Sequence, residues 1–456
     1  MKPNIKKNDI FELEITDMLP DGNGVAKKDG FVIFVPKTAV GDIARIKILK
    51  VGVSRAYGKS IEIVKPSSDR IPIDCKAYKN CGGCVFRQLS YDKELELKKN
   101  IVTQNFRRIG GFDIECSTIL SPIQNRYRGK AEYPCAKTKD GCVKFGFYQR
   151  GTHTVIPCED CILQPEIYSE IVSYTESFCD KYKVEPYDET TKNGVLRYLY
   201  IRNGYKTGQV MVCLVLAKDK FVHEKEFIEG LKKTADIRSV IIVLNNKNTN
   251  VILTDNYRVI YGKDYIEDEL CGLKFKINPL SFFQVNNEGA EVLYGKVKEF
   301  ADLKGDEFLL DLYCGTGTIG LSMAKNVRQL IGVDVVEQAI KNAKDNAKTN
   351  GIENASFICS DAGKAAESFK NQDLKPDVIV IDPARSGCDE LAINSILAMK
   401  PEKIVMVSCN SATAARDAEM FCKEDYLIKK IIAVDMFPRT GHCELVVSMS
   451  RVGSKL

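Results

Sequence analysis

No run of about 18 apolar residues occurs anywhere in the 456-residue chain, so no membrane-spanning helix is expected. The opening residues, MKPNIKKNDIFELEITDM, lack the apolar core of a secretory leader, and the chain is expected to stay in the cytoplasm. Internal repeats, low-complexity tracts and long linkers are also missing, which excludes solenoid, fibrous and disordered architectures.

What is present is an ordinary globular composition, 44% apolar and 28% charged, long enough for two or three domains that each bury a core. A net charge of +5 permits a nucleic-acid partner without demanding one. The 17 cysteines carry more information. In a reducing compartment they are thiols, metal ligands or nucleophiles rather than disulfides, and only those in a patterned setting count.

Three regions follow from the patterning. Residues 1–66 read as a small all-β module, with FELEITDM, GFVIFVP, DIARIKILKV and KSIEIVKP alternating apolar and polar residues between glycine turns. From Lys37 to Lys65 seven bases (Lys37, Arg45, Lys47, Lys50, Arg55, Lys59, Lys65) face two acids, Asp42 and Glu62. On a barrel they form either a phosphate-tracking face or a solvated basic one. Residues 67–270 hold a cysteine stretch (75–84), a helical run (YDKELELKKNIVTQNFRRIGG) and mixed elements, with VLRYLYIRNG, GQVMVCLVLA, SVIIVLN and VILT as strands. The stretch 93–124 is free to pack back on the last region. Residues 271–456 alternate short apolar strands with helices and end in the hairpin IIAVDMFP/CELVVSMSR, the pattern of an α/β domain with a parallel sheet covered on both faces.

Within that sheet Asp311-Leu-Tyr-Cys-Gly315-Thr-Gly317-Thr-Ile-Gly320 joins the first strand to a helix, and Asp334 ends the second strand 19 residues past Gly315. The glycines let the backbone approach a ligand, and the acid is placed for ribose hydroxyls. The same glycines also satisfy a dinucleotide loop. The CGTG context leans toward S-adenosylmethionine (SAM), whose amino-acid end needs polar contacts rather than a pyrophosphate cradle.

Three further strand ends carry chemistry: Asp382-Pro-Ala-Arg385, Ser408-Cys409-Asn410, and Pro438-Arg-Thr-Gly-His442-Cys-Glu444. Cys409 precedes a helix N-terminus, where the dipole is expected to favour its thiolate. Taken singly, Cys409 reads as a buried thiol, Glu444 as a surface carboxylate and His442 as a residue satisfied in its hairpin. Together with the glycine loop they suit pyrimidine C5 methylation. A Cys409 thiolate adds to carbon 6, carbon 5 takes a methyl, and Glu444 removes the C5 proton. Such a base must be reached outside a stack.

With Ser-Phe-Phe-Gln284-Val-Asn286 added, these segments closely resemble the RNA uridine-C5 methyltransferases, in particular the 23S ribosomal RNA branch with an N-terminal TRAM domain and an iron–sulfur cluster. The resemblance runs nearly the whole chain. It implies a class I SAM-dependent methyltransferase fold behind a TRAM β-barrel (1–66) and a central α+β iron–sulfur domain (67–270). It implies Cys409 as nucleophile, Glu444 as proton acceptor, and Gln284, Tyr313, Asp334 and Asp382 around the cofactor. Two departures stand out: DPAR where DPPR is usual, and Arg439 where glutamine commonly follows the proline. Arg439 is expected near the substrate, altering which uridine is accepted.

Cys75, Cys81 and Cys84 (CxxxxxCGGC) and the later Cys158 and Cys161 (CEDC) leave two metal readings. Two CxxC pairs suit zinc. The resemblance implies instead a [4Fe–4S] cluster on Cys75, Cys81, Cys84 and Cys161, with Cys158 a bystander. The CxxxCxxC triad of radical enzymes is absent. A cytidine-C5 methyltransferase is disfavoured because no Pro-Cys dipeptide ends the fourth strand. Transfer RNA enzymes resemble the same catalytic domain but generally lack the β module and the cysteines, so ribosomal RNA is the expected partner, engaged by a monomer.

Overall fold

The structure is a computed structural model that describes residues 5–453. The outermost residues of the first and last expected domains, 1–4 and 454–456, lie outside the described residues.

Five strands, β1 (Ile10–Met18), β2 (Asn23–Lys28), β3 (Phe31–Pro36), β4 (Ile43–Val51) and β5 (Arg55–Lys65), close into a barrel in the order β1-β2-β3-β5-β4. Alternation turns Ile15, Ile33, Val35, Ile46 and Ile48 inward onto a small core. The cysteine stretch follows without regular structure and leads into α1 (Tyr91–Arg108), capped by Ser90, whose hydroxyl accepts from the Lys93 amide at 3.4 Å. A three-residue strand, β6 (Ser117–Ile119), comes next.

The central part contains β7 (Lys130–Lys137), β8 (Val143–Tyr148), β9 (Val155–Pro157), α2 (Ile167–Tyr182), β10 (Leu196–Asn203), β11 (Val210–Leu216), α3 (Glu224–Leu231), β12 (Ile237–Leu244) and β13 (Tyr257–Gly262). Its seven strands form one sheet, ordered β13-β12-β11-β10-β7-β8-β9. VILT (251–254), expected as a strand, is irregular. Asn245 there donates to the Val251 and Ile252 carbonyls at 2.6 and 3.0 Å, and Thr254 to the Leu244 carbonyl at 2.7 Å, so side chains replace the ladder.

A hairpin, β14 (Ile266–Leu270) and β15 (Leu273–Ile277), opens the last part. Then come α4 (Asn287–Ala301), β16 (Phe308–Leu312), α5 (Thr318–Met323), β17 (Gln329–Asp334), α6 (Glu337–Thr349), β18 (Ala355–Cys359), α7 (Ala362–Asn371), β19 (Val378–Ile381), α8 (Glu390–Met399), β20 (Lys403–Ser408), α9 (Ser411–Lys423), β21 (Tyr426–Val434) and β22 (Glu444–Arg451). The boundary expected at 270 falls in the turn of that hairpin. The hairpin packs on α4 and α6, and the Asn350 and Asn346 side chains accept from the Lys274 and Lys276 amides, so the catalytic unit begins near Ile266.

The sheet order is β18-β17-β16-β19-β20-β22-β21-β6, parallel through β20, with β22 antiparallel to both neighbours. The inner strands β16, β19 and β20 are buried throughout, which is why they read as continuous apolar runs. Each fully buried aliphatic side chain contributes roughly 1.5–3 kcal/mol to such a core. The eighth strand, β6, comes from before the central part and pairs parallel with β21. Its neighbour α1 packs on α9 and β21, with Phe106 and Val102 in the core of that face. The catalytic unit is therefore discontinuous in sequence.

Candidate active site

The reversal of strand order lies between β16 and β19, and ligands bind beyond the carboxyl ends of strands at such a point. Four strand ends converge there. At the first, Tyr313 sits at φ 65° and its hydroxyl donates to the Cys388 thiol, while burial pushes its phenol up. Gly315 follows at φ 55°, with open space where a side chain would stand, and its amide donates to Asp334 at 2.9 Å. Asp334 also accepts from the Val336 amide at 2.8 Å. Asp311 accepts from the Gly320 amide at 2.9 Å through one oxygen, while the other is buried without a partner. Burial, with Asp382 and Asp334 nearby, pushes Asp311 up to about 8.

Gln284 reaches the Tyr294 hydroxyl, which also meets Thr318 at 2.9 Å and feels the charge of Asp382. Its loop is held by Arg202 of the central sheet, which donates to the Ser281 and Phe283 carbonyls at 2.7 and 3.0 Å. Tyr294 thus links Gln284 with Asp382, and Asp311 lies near both Asp382 and Asp334; Tyr294 had no role in the sequence analysis. Asp382 is half-buried at its surface but deep in the fold, and that desolvation pushes it up to about 7.

Cys409 and Glu444 lie at the ends of neighbouring strands. Ser408 pairs with Leu445, so the antiparallel register sets Cys409 opposite Glu444 at the ends of β20 and β22. Glu444 is buried; desolvation and Asp382 push it up to about 8, against the pull of Arg385. The expectation of a thiolate favoured by the helix N-terminus needs correction. Burial raises the Cys409 thiol, Glu444 and Asp382 raise it further, and Arg385 opposes them by charge and by a hydrogen bond. Arg385 faces both reacting groups and had no role in the sequence reading. Asn410 explains its placement: its side chain caps α9 by accepting from the Ala412 amide at 3.1 Å and donates to the Arg385 carbonyl at 2.9 Å. His442 stands edge-on to Phe437, and burial, with Arg385, Lys98 and Arg128 nearby, pulls its imidazole below the ordinary value.

Arg439, expected at the substrate, is instead turned into the interior. It is 8% exposed at φ 70°, and its guanidinium donates to the Leu89 carbonyl and to Gln124, both at 3.0 Å.

Cys75, Cys81, Cys84, Cys158 and Cys161 line one cavity of about 530 Å³ between the barrel, the central sheet and the Thr440–His442 loop. The Cys158 thiol donates to Cys161, which is pulled down by that bond. Burial pushes Cys84 up to about 12 and raises Cys81. Among the described residues no three His, Cys, Asp or Glu side chains stand in the tight arrangement that holds a metal ion. A single zinc needs its ligands at about 2.3 Å from one centre, whereas a cluster spreads its four thiolates around a larger body.

The strand order, the glycine loop and the strand-end side chains define a class I methyltransferase fold, preceded by a small barrel. The chain belongs to the tRNA (Uracil-5-)-methyltransferase family, whose model matches residues 90–452; a TRAM domain matches residues 6–59. It is therefore an RNA methyltransferase. A protein of Clostridium tetani named as an uncharacterized RNA methyltransferase is 39% identical over 99% of this chain and 98% of its own. A Listeria monocytogenes protein of the same description is 38% identical over 97% and 98%. Among solved structures, the Pyrococcus abyssi tRNA (uracil-54, C5)-methyltransferase in complex with S-adenosyl-L-homocysteine aligns at a TM-score of 0.79 with 29% identity, covering 96% of this chain and 100% of that one. With 4% of this chain left over, the barrel and cysteine stretch fall largely inside that match. The barrel by itself therefore does not separate ribosomal from transfer RNA enzymes. No described helix is long and apolar enough to cross a membrane.

Proposed function

We propose that this protein methylates carbon 5 of a uridine in structured RNA with SAM as donor, using Cys409 as nucleophile and Glu444 as base. The observation that carries this reading is the juxtaposition of Cys409 and Glu444 across β20 and β22, with Arg385 acting on both; on this reading Gln284, Tyr313, Asp334 and Asp382 ring an opening for the cofactor beside them. A cationic donor suits that opening, because Asp311 and Asp334 meet backbone amides rather than basic side chains, and one Asp311 oxygen is unpartnered. SAM supplies an activated methyl on a sulfonium.

Arg385 favours the Cys409 thiolate, which adds to carbon 6 and pushes electrons onto carbon 5. Carbon 5 takes the methyl as the sulfur–methyl bond breaks. Glu444 accepts the C5 proton, the C5–C6 double bond re-forms, and the Cys409 thiolate leaves. Burial makes Glu444 a stronger base than an exposed carboxylate.

The first substrate to test is 23S ribosomal RNA, engaged by a cytoplasmic monomer through the barrel. A second reading, transfer RNA, draws on the Pyrococcus abyssi neighbour. Mass spectrometry of both RNAs after incubation with SAM decides between them. Wild type is expected to add a methyl to carbon 5 of specific uridines, and Cys409→Ala to add none. Full activity in Cys409→Ala defeats the covalent mechanism, and methyl on cytidine defeats the base assignment.

The same reading gives Cys75, Cys81, Cys84 and Cys161 a [4Fe–4S] cluster that organises the RNA-binding part. Purified protein is expected to be brown with about four irons per chain. A colourless protein with one zinc replaces the cluster by the Cys81, Cys84, Cys158 and Cys161 site.

A further inference from the structure

The loop from Asp435 to Cys443 delivers Glu444 to the site, yet the catalytic sheet holds little of it. Arg439 donates its amide to Glu94 of α1 at 2.7 Å, and its carbonyl accepts from the Val85 and Phe86 amides at 2.9 and 3.2 Å. The Tyr127 hydroxyl donates to the Pro438 carbonyl at 2.9 Å. A side chain at Gly441 would run into the Pro20 carbonyl of the barrel, at 1.6 Å. Segments from the barrel, the cysteine stretch, α1 and the start of the central part thus all meet the loop that carries the base.

At its centre lies a buried set of charges. Lys98, 2% exposed, donates to Glu94 and Asp435, both at 2.7 Å, and to the Phe437 carbonyl at 3.2 Å. Tyr91 donates to the second Asp435 oxygen at 2.9 Å and accepts from the Ser121 amide at 2.8 Å. Glu94 also faces the Arg439 guanidinium at 3.6 Å. Lys98 thus bridges the two acids, and the Arg439 guanidinium adds a second, longer ion pair to Glu94. Arg439 keeps a left-handed backbone that a side chain rarely adopts, and its neighbours hold it there. None of these groups faces the reacting strand ends.

We propose that Lys98, acting through Asp435 and the loop it anchors, is a positioning residue for the catalytic base, so that α1 belongs functionally to the active site. This rests on Glu444 being the base. Loosening the loop spares addition of Cys409 and methyl transfer, which occur on β20 and the glycine loop, and slows proton removal. The methylated RNA then stays bonded to Cys409.

The test is Lys98→Met combined with Asp435→Asn, which removes the bridging cation with one of its two acids and leaves Glu94 the amide and guanidinium of Arg439. With SAM and substrate RNA, the variant is expected to accumulate an adduct that survives denaturing electrophoresis. Turnover should fall by about tenfold or more, with the KM for RNA unchanged. Tyr91→Phe, a milder change, is expected to give the same signature at smaller amplitude and decides the matter if the double variant does not fold. Glu444→Gln runs in parallel. If it accumulates adduct and the folded loop variants do not, the positioning role is overturned and the base stands. If Glu444→Gln turns over normally, both fall. Adduct and turnover declining together in the loop variants marks a merely structural contact and also overturns the proposal.

Discussion

Three acids of the site, Asp311, Asp382 and Glu444, are held above the ordinary carboxylate range by burial. For Glu444 the consequence can be signed. Its proton is held more tightly in the folded chain than in the unfolded one, so between about 4.5 and about 8 the folded state carries more protons. Stability from this group is therefore full at low pH and is lost as pH rises through that window. Glu444→Gln, which cannot ionise, is expected to melt higher than wild type at about pH 8.5, by on the order of 1–3 kcal/mol, and no higher at about pH 4.5. Catalysis runs the other way, because base and nucleophile act deprotonated. The kcat/KM of wild type should climb with pH through about 8, since that ratio reports the free enzyme's groups. A flat profile between about pH 6 and about pH 9 means that Glu444 is not the group that limits the reaction.

At the level of elements, the sequence was most readable where burial leaves a simple signature. The β16, β19 and β20 strands are enclosed on both faces and read as short apolar runs, so their ends, and with them Asp311, Asp382 and Cys409, could be picked out. The α1 helix was readable as a helix, but periodicity reports that a face is buried and not against what. Its docking on α9 and β21, and the pairing of β6 with β21, depend on contacts some 300 residues apart. Arg439 misled for the same reason: as a departure from the family pattern it suggested the substrate, while its partners, Leu89, Glu94 and Gln124, come from the other half of the chain. Arg385 was visible in DPAR, yet its role depends on Asn410 holding its carbonyl from a different strand end. What the linear sequence hides at Cys409 is its burial beside two acids, which raises the thiol.

Across the whole molecule the barrel is fastened rather than tethered. Asp42, fully buried, pairs with Arg70 at 2.6 Å; Gln88 donates to the Thr38 carbonyl at 2.9 Å; and Met18 and Ala39 pack with Phe86, Leu89 and Leu97 of the cysteine stretch and α1. The barrel's outer surface therefore keeps a fixed direction relative to Cys409. Of its seven bases, Arg45 is spent on Glu62 at 2.6 Å, and Lys37 turns to the Tyr78 and Lys79 carbonyls. Lys50, Arg55, Lys59 and Lys65 stay exposed, with the exposed Tyr57 among them, itself packed on Phe34. A phosphate-tracking face and a solvated one differ in their response to salt, because each neutralised phosphate releases counterions. Lys50→Ala, Arg55→Ala and Lys59→Ala are each expected to reduce the slope of log Kd for structured RNA against log salt by about 0.7–0.9. A short uridine oligomer that reaches only the active site should show no change. If the slope for structured RNA is also unmoved, the barrel's charge is solvation alone, and selection of the uridine falls to the central sheet and the catalytic unit.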